Sequence, residues 1–449
     1  VKVAVDTGPV VRRATPADVD DAGALTAEAY VADGLLRDED DYTAELRDAR
    51  RRAREAILLV ATVPREPDGG RGHAGAGGDG GAGPGGGDGG HTDGDARPDD
   101  VVVGTVTLAP YGTSYAEVAE PGELEIRMLA VAPEARGRGI AEALMTHALR
   151  HAVAEGARRV VLSTSDAMRA AQRLYDRLGF VHDEPRDWSH HGLCVRVRTW
   201  TPPDAPGAVV EAATWPALRT TVTSDGWRVG ESGGLTRRAN STLPLTRAAD
   251  LGAAVDEVEA VYRAAGLPST FRVGPTTGGP SLHDALLARG YAAVSGADVL
   301  VRDVDGPSAH TGGGVDVRVA AHPDDAWLAA WIGVKSAGAD LGTARAILDG
   351  SPGVYLTALD GGRPMGVIRA AFAEDWVGLS CLVVVPEARR RGLARTLTLR
   401  ALDAARTRGA RRAFLQVEPH NTAAARLYTG LGFAPADRYL YLERALTTS

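Results

Sequence analysis

Cysteine is nearly missing from this chain: Cys194 and Cys381 are the only two in 449 residues, with no CxxC pair and no metal-ligand spacing. That excludes a disulfide framework and a cysteine-based zinc site, and it suits a reducing compartment. Lysine is equally scarce. Only Lys2 and Lys335 stand among 50 basic residues, so arginine carries nearly all the positive charge. The net charge of −8 argues against nucleic acid as the main partner, because a phosphate backbone is held by a basic surface. Long apolar runs are missing too, and the stretch from Val1 onward lacks a signal-peptide pattern. The expectation is a soluble, cytoplasmic protein with no membrane partner and no metal.

What is present is ordinary globular material, 44% hydrophobic and 24% charged, in a chain long enough for about two to four domains. One segment departs from this. Glu66 to Asp100 is dominated by Gly and Asp and holds no apolar run, so it is expected to be disordered. It interrupts two strand-like runs, Ala56–Val63 and Val101–Leu108, as an insertion at a hairpin tip would. His73 and His91 inside it read as solvated residues rather than ligands.

Around the insertion, strand and helix patterns alternate, which predicts a mixed α/β sheet flanked by helices. Val10–Arg13 reads as a strand, and Thr15-Pro16-Ala17-Asp18 as an N-cap with a first-turn proline. Helical periodicity runs through Tyr30 and again over Tyr42–Glu55. A strand (Leu124–Val131), a helix (Arg138–Glu155), a strand (Arg159–Thr164) and a helix (Ala167–Leu178) follow, and Thr201–Gly207 reads as a linker.

The sequence then repeats itself. Val131–Phe180 aligns without a gap on Val384–Phe433, at an offset of 253, with 25 identities in 50 positions. Shared composition inflates the Ala and Arg matches, but it does not preserve the spacing of Gly, Tyr and Phe. The expected division is an N-terminal domain 1–205 carrying the insert, a C-terminal domain 312–449, and between them a unit 211–305. That unit ends in a helix, Gly290 and Tyr291, as a degenerate third copy or an accessory α/β unit would.

Each full copy places a glycine-containing turn between a strand and a helix: Arg136-Gly137-Arg138-Gly139-Ile140-Ala141 and Arg389-Arg390-Arg391-Gly392-Leu393-Ala394. Unpaired amides at a helix start suit a pyrophosphate, and glycine lets the backbone come close. Each loop is followed, 36 residues after Gly139 or Gly392, by Tyr175 or Tyr428 in a Leu-Tyr-x-x-Leu-Gly-Phe ending.

These residues resemble the GNAT superfamily of acyl-CoA-dependent N-acetyltransferases. Its phosphate loop follows Arg/Gln-x-x-Gly-x-Gly/Ala, and both loops fit with alanine last. Asn421 and Ala424 match the family's Asn-x-x-Ala-x-x-Leu-Tyr helix, whereas the first copy has Met168 in place of that Asn. The Thr-Arg-Arg-Ala-Asn-Ser run at Thr236–Ser241 resembles a group of bacterial GNAT proteins. The resemblance implies tandem GNAT folds and acetyl-CoA as co-substrate. The donor would lie along Leu129 and Val131 with the first loop, and along Leu382 and Val384 with the second loop and Asn421. The acceptor would be a primary amine of a small molecule or peptide.

By the same resemblance Tyr175 and Tyr428 are general acids to the departing thiolate, unless they merely pack on the sheet. Glu125 matches the glutamate that deprotonates the amine in histone-acetyltransferase-like members. Its other reading is an outward-facing strand residue paired with Arg127; Glu123 is a lesser neighbour. The second copy has Gly378 at that position, leaving Glu374, Asp375 and Glu418 as guesses for its base. Arg237, Arg238 and Asn240 either line an acceptor pocket for an anionic substrate or close a hairpin. His190, His191 and His310 read as surface residues. Two further readings stand beside catalysis: one or both units bind acetyl-CoA without turning it over, or the duplicated folds display the insert. A monomeric pseudo-dimer and a homodimer both remain open.

Overall fold

The strand expected at Val10–Arg13 forms there as β1, in a computed structural model that describes residues 9–37, 40–65, 100–190, 193–275, 277–304, 315–335 and 340–446. The chain divides into two compact units, Val1–Ala152 with Ala157–Thr201, and Pro202–Ser449 with Val153–Gly156.

In the first unit β1 leads to α1 (Val19–Ala32), α2 (Asp41–Arg47) and α3 (Ala49–Glu55). Thr15 does not cap α1. Its N–H and hydroxyl both donate to Asp18 Oδ2, at 2.7 and 2.6 Å. Asp18 is itself gripped by a buried bidentate pair with Arg12, so the helix starts a turn late, at Val19. The stretch Tyr42–Glu55 is broken at Asp48, whose side chain accepts the Arg51 N–H at 2.9 Å and restarts the helix.

β2 (Ile57–Pro64) and β3 (Asp100–Pro110) pair antiparallel up to Pro64↔Asp100. The expected insertion therefore leaves and rejoins at neighbouring positions. Residues 66–99, with His73 and His91, lie outside the described residues, as do His191 and His310. There follow β4 (Glu123–Val131), α4 (Ile140–Ala154), β5 (Arg159–Ser165), α5 (Arg169–Arg177), β6 (Val181–His182), β7 (Trp188–His190) and β8 (Leu193–Trp200). Among the described residues the strand order is β1-β2-β3-β4-β5-β8-β6, with β7 beside β8.

One pairing positions everything at the site. β4 and β5 run parallel from Glu123↔Arg159 to Ile126↔Leu162, and there the ladder ends. Just beyond, Met128 takes a φ of 54°, and the β3–β4 register shifts between Thr105 and Thr107. This bulge turns the end of β4 away from β5 and opens a wedge between them.

The second unit begins with α6 (Gly207–Thr214), which takes over at the end of the expected linker. It continues through β9 (Arg219–Val222), β10 (Arg228–Glu231), β11 (Thr242–Leu243), α7 (Leu251–Ala265), β12 (Ser269–Val273), α8 (Gly279–Ala288) and β13 (Ala292–Asp303). After β14 (Asp316–Ala320), α9 (Asp325–Lys335) and α10 (Leu341–Asp349) come β15 (Gly353–Asp360), β16 (Arg363–Ala373) and β17 (Trp376–Val384). The chain closes with α11 (Leu393–Thr407), β18 (Arg412–Val417), α12 (Thr422–Thr429) and β19 (Ala434–Arg444).

These strands form one sheet, β14-β15-β16-β17-β18-β13-β19-β12-β11-β10-β9. The stretches 211–305 and 312–449 thus share a sheet and exchange strands. β13 lies between β18 and β19, and β19 lies between β13 and β12. The wedge recurs: β17 and β18 pair in parallel only as far as Leu379↔Leu415, the positions aligned with Ile126 and Leu162. Cys381, aligned with Met128, has a φ of 58°.

α7 shows what a fully signalled helix looks like. Asp250 Oδ1 accepts the N–H groups of Gly252 and Ala253, at 2.8 and 3.2 Å, and Gly266 ends the helix at a φ of 65°. Asp250→Ala should lower the unfolding free energy by about 1 kcal/mol, read as an earlier midpoint in urea. An unchanged midpoint would mean that the cap contributes nothing.

Candidate functional site

The glycine loops form as strand–turn–helix junctions in both units. After β4, a short turn at Pro133–Ala135 leads through Arg136 to Gly137 and Gly139, with φ of 75° and 74°, and α4 starts at Ile140. A side chain built at either glycine would meet no atom within 4 Å, so the backbone there faces open space. The second loop takes the same path: Pro386–Ala388, then Arg390 at φ 61°, Gly392 at φ 76°, and α11 from Leu393. Holding an arginine where the first loop has Gly137 costs about 1 kcal/mol or more. The first amides of each helix have no intrahelical acceptor and carry the positive end of its dipole, which suits an anion.

In the first unit the loop borders a cleft of about 600 Å³. From the expected donor set the cleft gathers Leu129, Val131, Arg136, Gly137, Gly139, Ile140 and Ala141, and it adds Tyr30 of α1, Asp33 just past that helix, Met168 and Leu174. Arg138 and Tyr175 are not among its lining residues. Ile140 and Leu393 are mostly core residues. The loop arginines hold the turn itself: Arg136 Nε donates to the Val131 carbonyl at 3.4 Å and Arg389 Nε to the aligned Val384 carbonyl at 3.3 Å. Arg136 is also paired with Asp33 at 2.7 Å, and Arg391 with Asp360 at 3.2 Å.

Both candidate acids are buried. Tyr175 packs on Phe180 with ring centroids 5.8 Å apart, and Tyr428 on Phe433 at 5.7 Å. Burial pushes the Tyr175 hydroxyl up to about 12, against a smaller opposing effect of Arg198, and raises Tyr428 as well. At neutral pH both phenols hold their protons, as a proton donor must.

Glu125 is not an outward-facing strand residue. Its side chain is 1% exposed and lies 3.9 Å from Arg127, whose nearer partner is Glu117 at 2.7 Å. Glu125 Oε2 accepts three loop amides, those of Glu117, Val118 and Ala119, at 2.7, 2.8 and 3.1 Å. Burial raises its pKa, opposed by those amides and by Arg127. Glu123 is held by Arg186 and Arg159.

At the aligned Gly378 a Cβ would stand 2.8 Å from both Phe414 Cζ and Thr214 Oγ1, so any side chain there has to displace one or both of them. Asp375 is bound by Arg412, Glu418 pairs with His420 at 3.3 Å, and Glu374 sits in a turn at φ 53°.

Asn421 caps α12, its Oδ1 accepting the Ala424 N–H at 3.0 Å. Met168 gives α5 no such cap. Asn240 is an internal knot. It accepts the amides of Ser232 and Gly234, at 2.7 and 3.0 Å, and donates to the Leu235 and Thr236 carbonyls, at 2.9 and 2.8 Å. Arg237 pairs with Glu443 at 3.4 Å, and Arg238 lies 4.6 Å over the Trp215 ring.

A family model described as probable histone acetyltransferase Rv0428c C-terminal matches residues 208–442, more than half of the chain. The acetyltransferase (GNAT) family model matches residues 86–180. The chain belongs to the GNAT acetyltransferases. No curated protein sequence matches it. Among solved structures, a GCN5-related N-acetyltransferase from Kribbella flavida is similar over 54% of this chain and 98% of its own, at 17% identity and a TM-score of 0.42. One from Sphaerobacter thermophilus is similar over 98% and 96%, at 15% identity and a TM-score of 0.31. A tandem GNAT protein from the clavulanic acid biosynthesis pathway is similar over 98% and 100%, at 14% identity and a TM-score of 0.30.

Sequence reasoning about this GNAT chain missed α6 and the bulge residues Met128 and Cys381, because no glycine marks the left-handed backbone. It also missed the polar atoms stranded beside the wedges. Ser163 Oγ and Thr164 Oγ1 in the first unit, and Ser380 Oγ and Gln416 Oε1 in the second, are buried without a partner among the described residues. The packing at Gly378 is directly testable. Gly378→Ala should destabilise the protein by about 1–3 kcal/mol through overpacking, seen as a lower melting temperature. A neutral or stabilising effect, as for an ordinary strand glycine, would contradict the close fit.

Proposed function

We propose that the protein transfers an acetyl group from acetyl-CoA to a primary amine of a small molecule or peptide. The observation that carries this is the first unit's cleft, which joins the end of β4, the glycine loop, the start of α4 and the residues before Tyr175 in one space. The description of the C-terminal family as a probable histone acetyltransferase supports a peptide amine among the acceptors. The two unbridged cysteines fit a reducing cytoplasm.

The donor supplies an activated acyl thioester that an amine attacks directly. The protein's tasks follow from its own atoms. Amides at the start of α4, with Gly137 and Gly139 open to solvent, receive the pyrophosphate. The wedge between β4 and β5 seats the acyl end, where Ser163 and Thr164 offer unused hydroxyls. Tyr175 keeps its proton for the departing sulfur. Glu125, uncomfortable as a charge where it is buried, takes a proton from the amine on Oε1, while Oε2 keeps the three loop amides.

The stretch 211–305 we infer to be a degenerate third unit. Its β11 and β12 run parallel and α7, β12, α8 and β13 follow the order of α4, β5, α5 and β6. It has no donor loop: Asp250 places its own carboxylate on the α7 amides where the other units leave them for an anion. With its strand exchange, 202–449 then reads as a pseudo-dimer in one chain. Acetyl-CoA binding without turnover in one of the units is the competing reading, and Gly378 is the observation that favours it for the second.

Calorimetric titration with acetyl-CoA tests the donor site. Ala141→Glu and Ala394→Glu each place a carboxylate in the first helical turn, which the helix tolerates but a pyrophosphate does not. Wild type should bind, and Ala141→Glu should remove the first unit's share by at least 100-fold in affinity. Unchanged binding in both variants would show that the donor is not held at these loops.

A further inference from the structure

We infer that Glu211, carried by α6, is the carboxylate that takes the amine proton in the second unit. This rests on the acetyl-transfer reading and extends it to a site that Gly378, on alignment alone, leaves without a base. In the first unit Glu125 stands on β4 one residue before the last paired position, Ile126. In the second unit the same place on β17 is closed, because Thr214 of α6 and Phe414 fill the space over Gly378.

Among the described residues α6 has no counterpart in the first unit. It packs across β16 and β17 and is fixed at its end, where the Thr214 carbonyl accepts Arg369 Nη1 at 2.7 Å and Ser351 Oγ at 3.2 Å. Glu211 lies one turn earlier, with a side chain 1% exposed, and is paired with Arg272 at 2.6 Å. Its other oxygen accepts Gln416 Nε2. Gln416 is the first residue of β18 beyond the last paired position, Leu415, so the carboxylate stands at the wedge. The polar groups around it are incomplete. Gln416 Oε1, Ser380 Oγ on the facing strand and Arg272 Nε are buried without partners among the described residues. An ammonium group entering between Glu211 and Gln416 Oε1 would complete the acceptors, and the acyl oxygen would take the Ser380 hydroxyl.

The transfer balances. One proton of the ammonium passes to Glu211 and on to solvent, freeing the nitrogen lone pair. The C–N bond forms as the C–S bond breaks, and the nitrogen's surplus proton replaces the one that the sulfur takes on leaving.

The test uses the full chain carrying Ala141→Glu as reference, so that only the second unit's loop accepts donor. Thiol release from acetyl-CoA is followed with a lysine-containing peptide and spermidine as acceptor probes. The reference should release thiol above the enzyme-free rate. Adding Glu211→Gln should cut kcat at least 100-fold with KM for acetyl-CoA unchanged. Glu211→Gln with Arg272→Gln removes both charges of the buried pair, leaving no lone charge to unfold the protein; it should melt like the reference and be equally slow. Recovery of activity in the double variant would reduce Glu211 to a partner of Arg272 and overturn the inference. So would a reference protein that is silent while wild type is active. Wild type that neither binds acetyl-CoA nor releases thiol would instead remove the acetyl-transfer reading, and this inference with it.

Discussion

Two parallel strands that pair for four residues and then part are the constraint on which the rest of this molecule depends. In each unit the ladder ends at the same aligned position, Ile126↔Leu162 and Leu379↔Leu415. A non-glycine residue two positions on, Met128 or Cys381, is held in the left-handed region. Such a conformation costs about 1–2 kcal/mol and persists only where the surrounding sheet over-determines it. What it provides is a wedge with backbone on both walls, placed at the end of the strand that feeds the glycine turn and helix. The same bend therefore positions the wedge, the glycine loop and the helix dipole together.

On that common frame the two units carry different side chains. Gly137 is replaced by Arg390, and Glu142, paired with Arg177 at 3.6 Å, by Arg395, which donates to the Gly430 carbonyl. The second loop is thus the more positive one and has the more strained backbone. Beside the wedge, the first unit buries Glu125 under the loop that precedes β4. The second has only a tight turn there, at Glu374 and Asp375, and covers its wedge with α6. In both units a buried carboxylate beside the wedge is satisfied, Glu125 on the strand by three amides of the covering loop and Glu211 on the covering helix by Arg272 and Gln416 of the sheet.

How much of this was legible in the sequence follows from what is local. The glycine loops and most strands around the repeat are set by turn chemistry and by periodicity within a few residues, and they stand where the sequence put them. The Thr15 cap fails because Asp18 answers to Arg12 across the β1–α1 turn. Asn240 looks like a binding residue in sequence because nothing local shows that four backbone groups converge on it. The reciprocal insertion of β13 and β19 joins strands about 140 residues apart, and α6 acts on β17 from the far side of the middle stretch. Neither leaves a trace in any short window. The filling of Gly378 is the clearest such case: alignment shows a missing carboxylate, and only packing shows that the space has gone as well.

Hydrogen–deuterium exchange of the full chain with and without acetyl-CoA bears most directly on the claim that the helix start beyond the wedge receives the donor. The account predicts slowed exchange of the amides of Gly139 to Glu142, which open freely without an intrahelical acceptor, together with Leu129 to Val131 at the end of β4. Protection that spares both stretches, or that falls only on distant parts of the first unit, would contradict it.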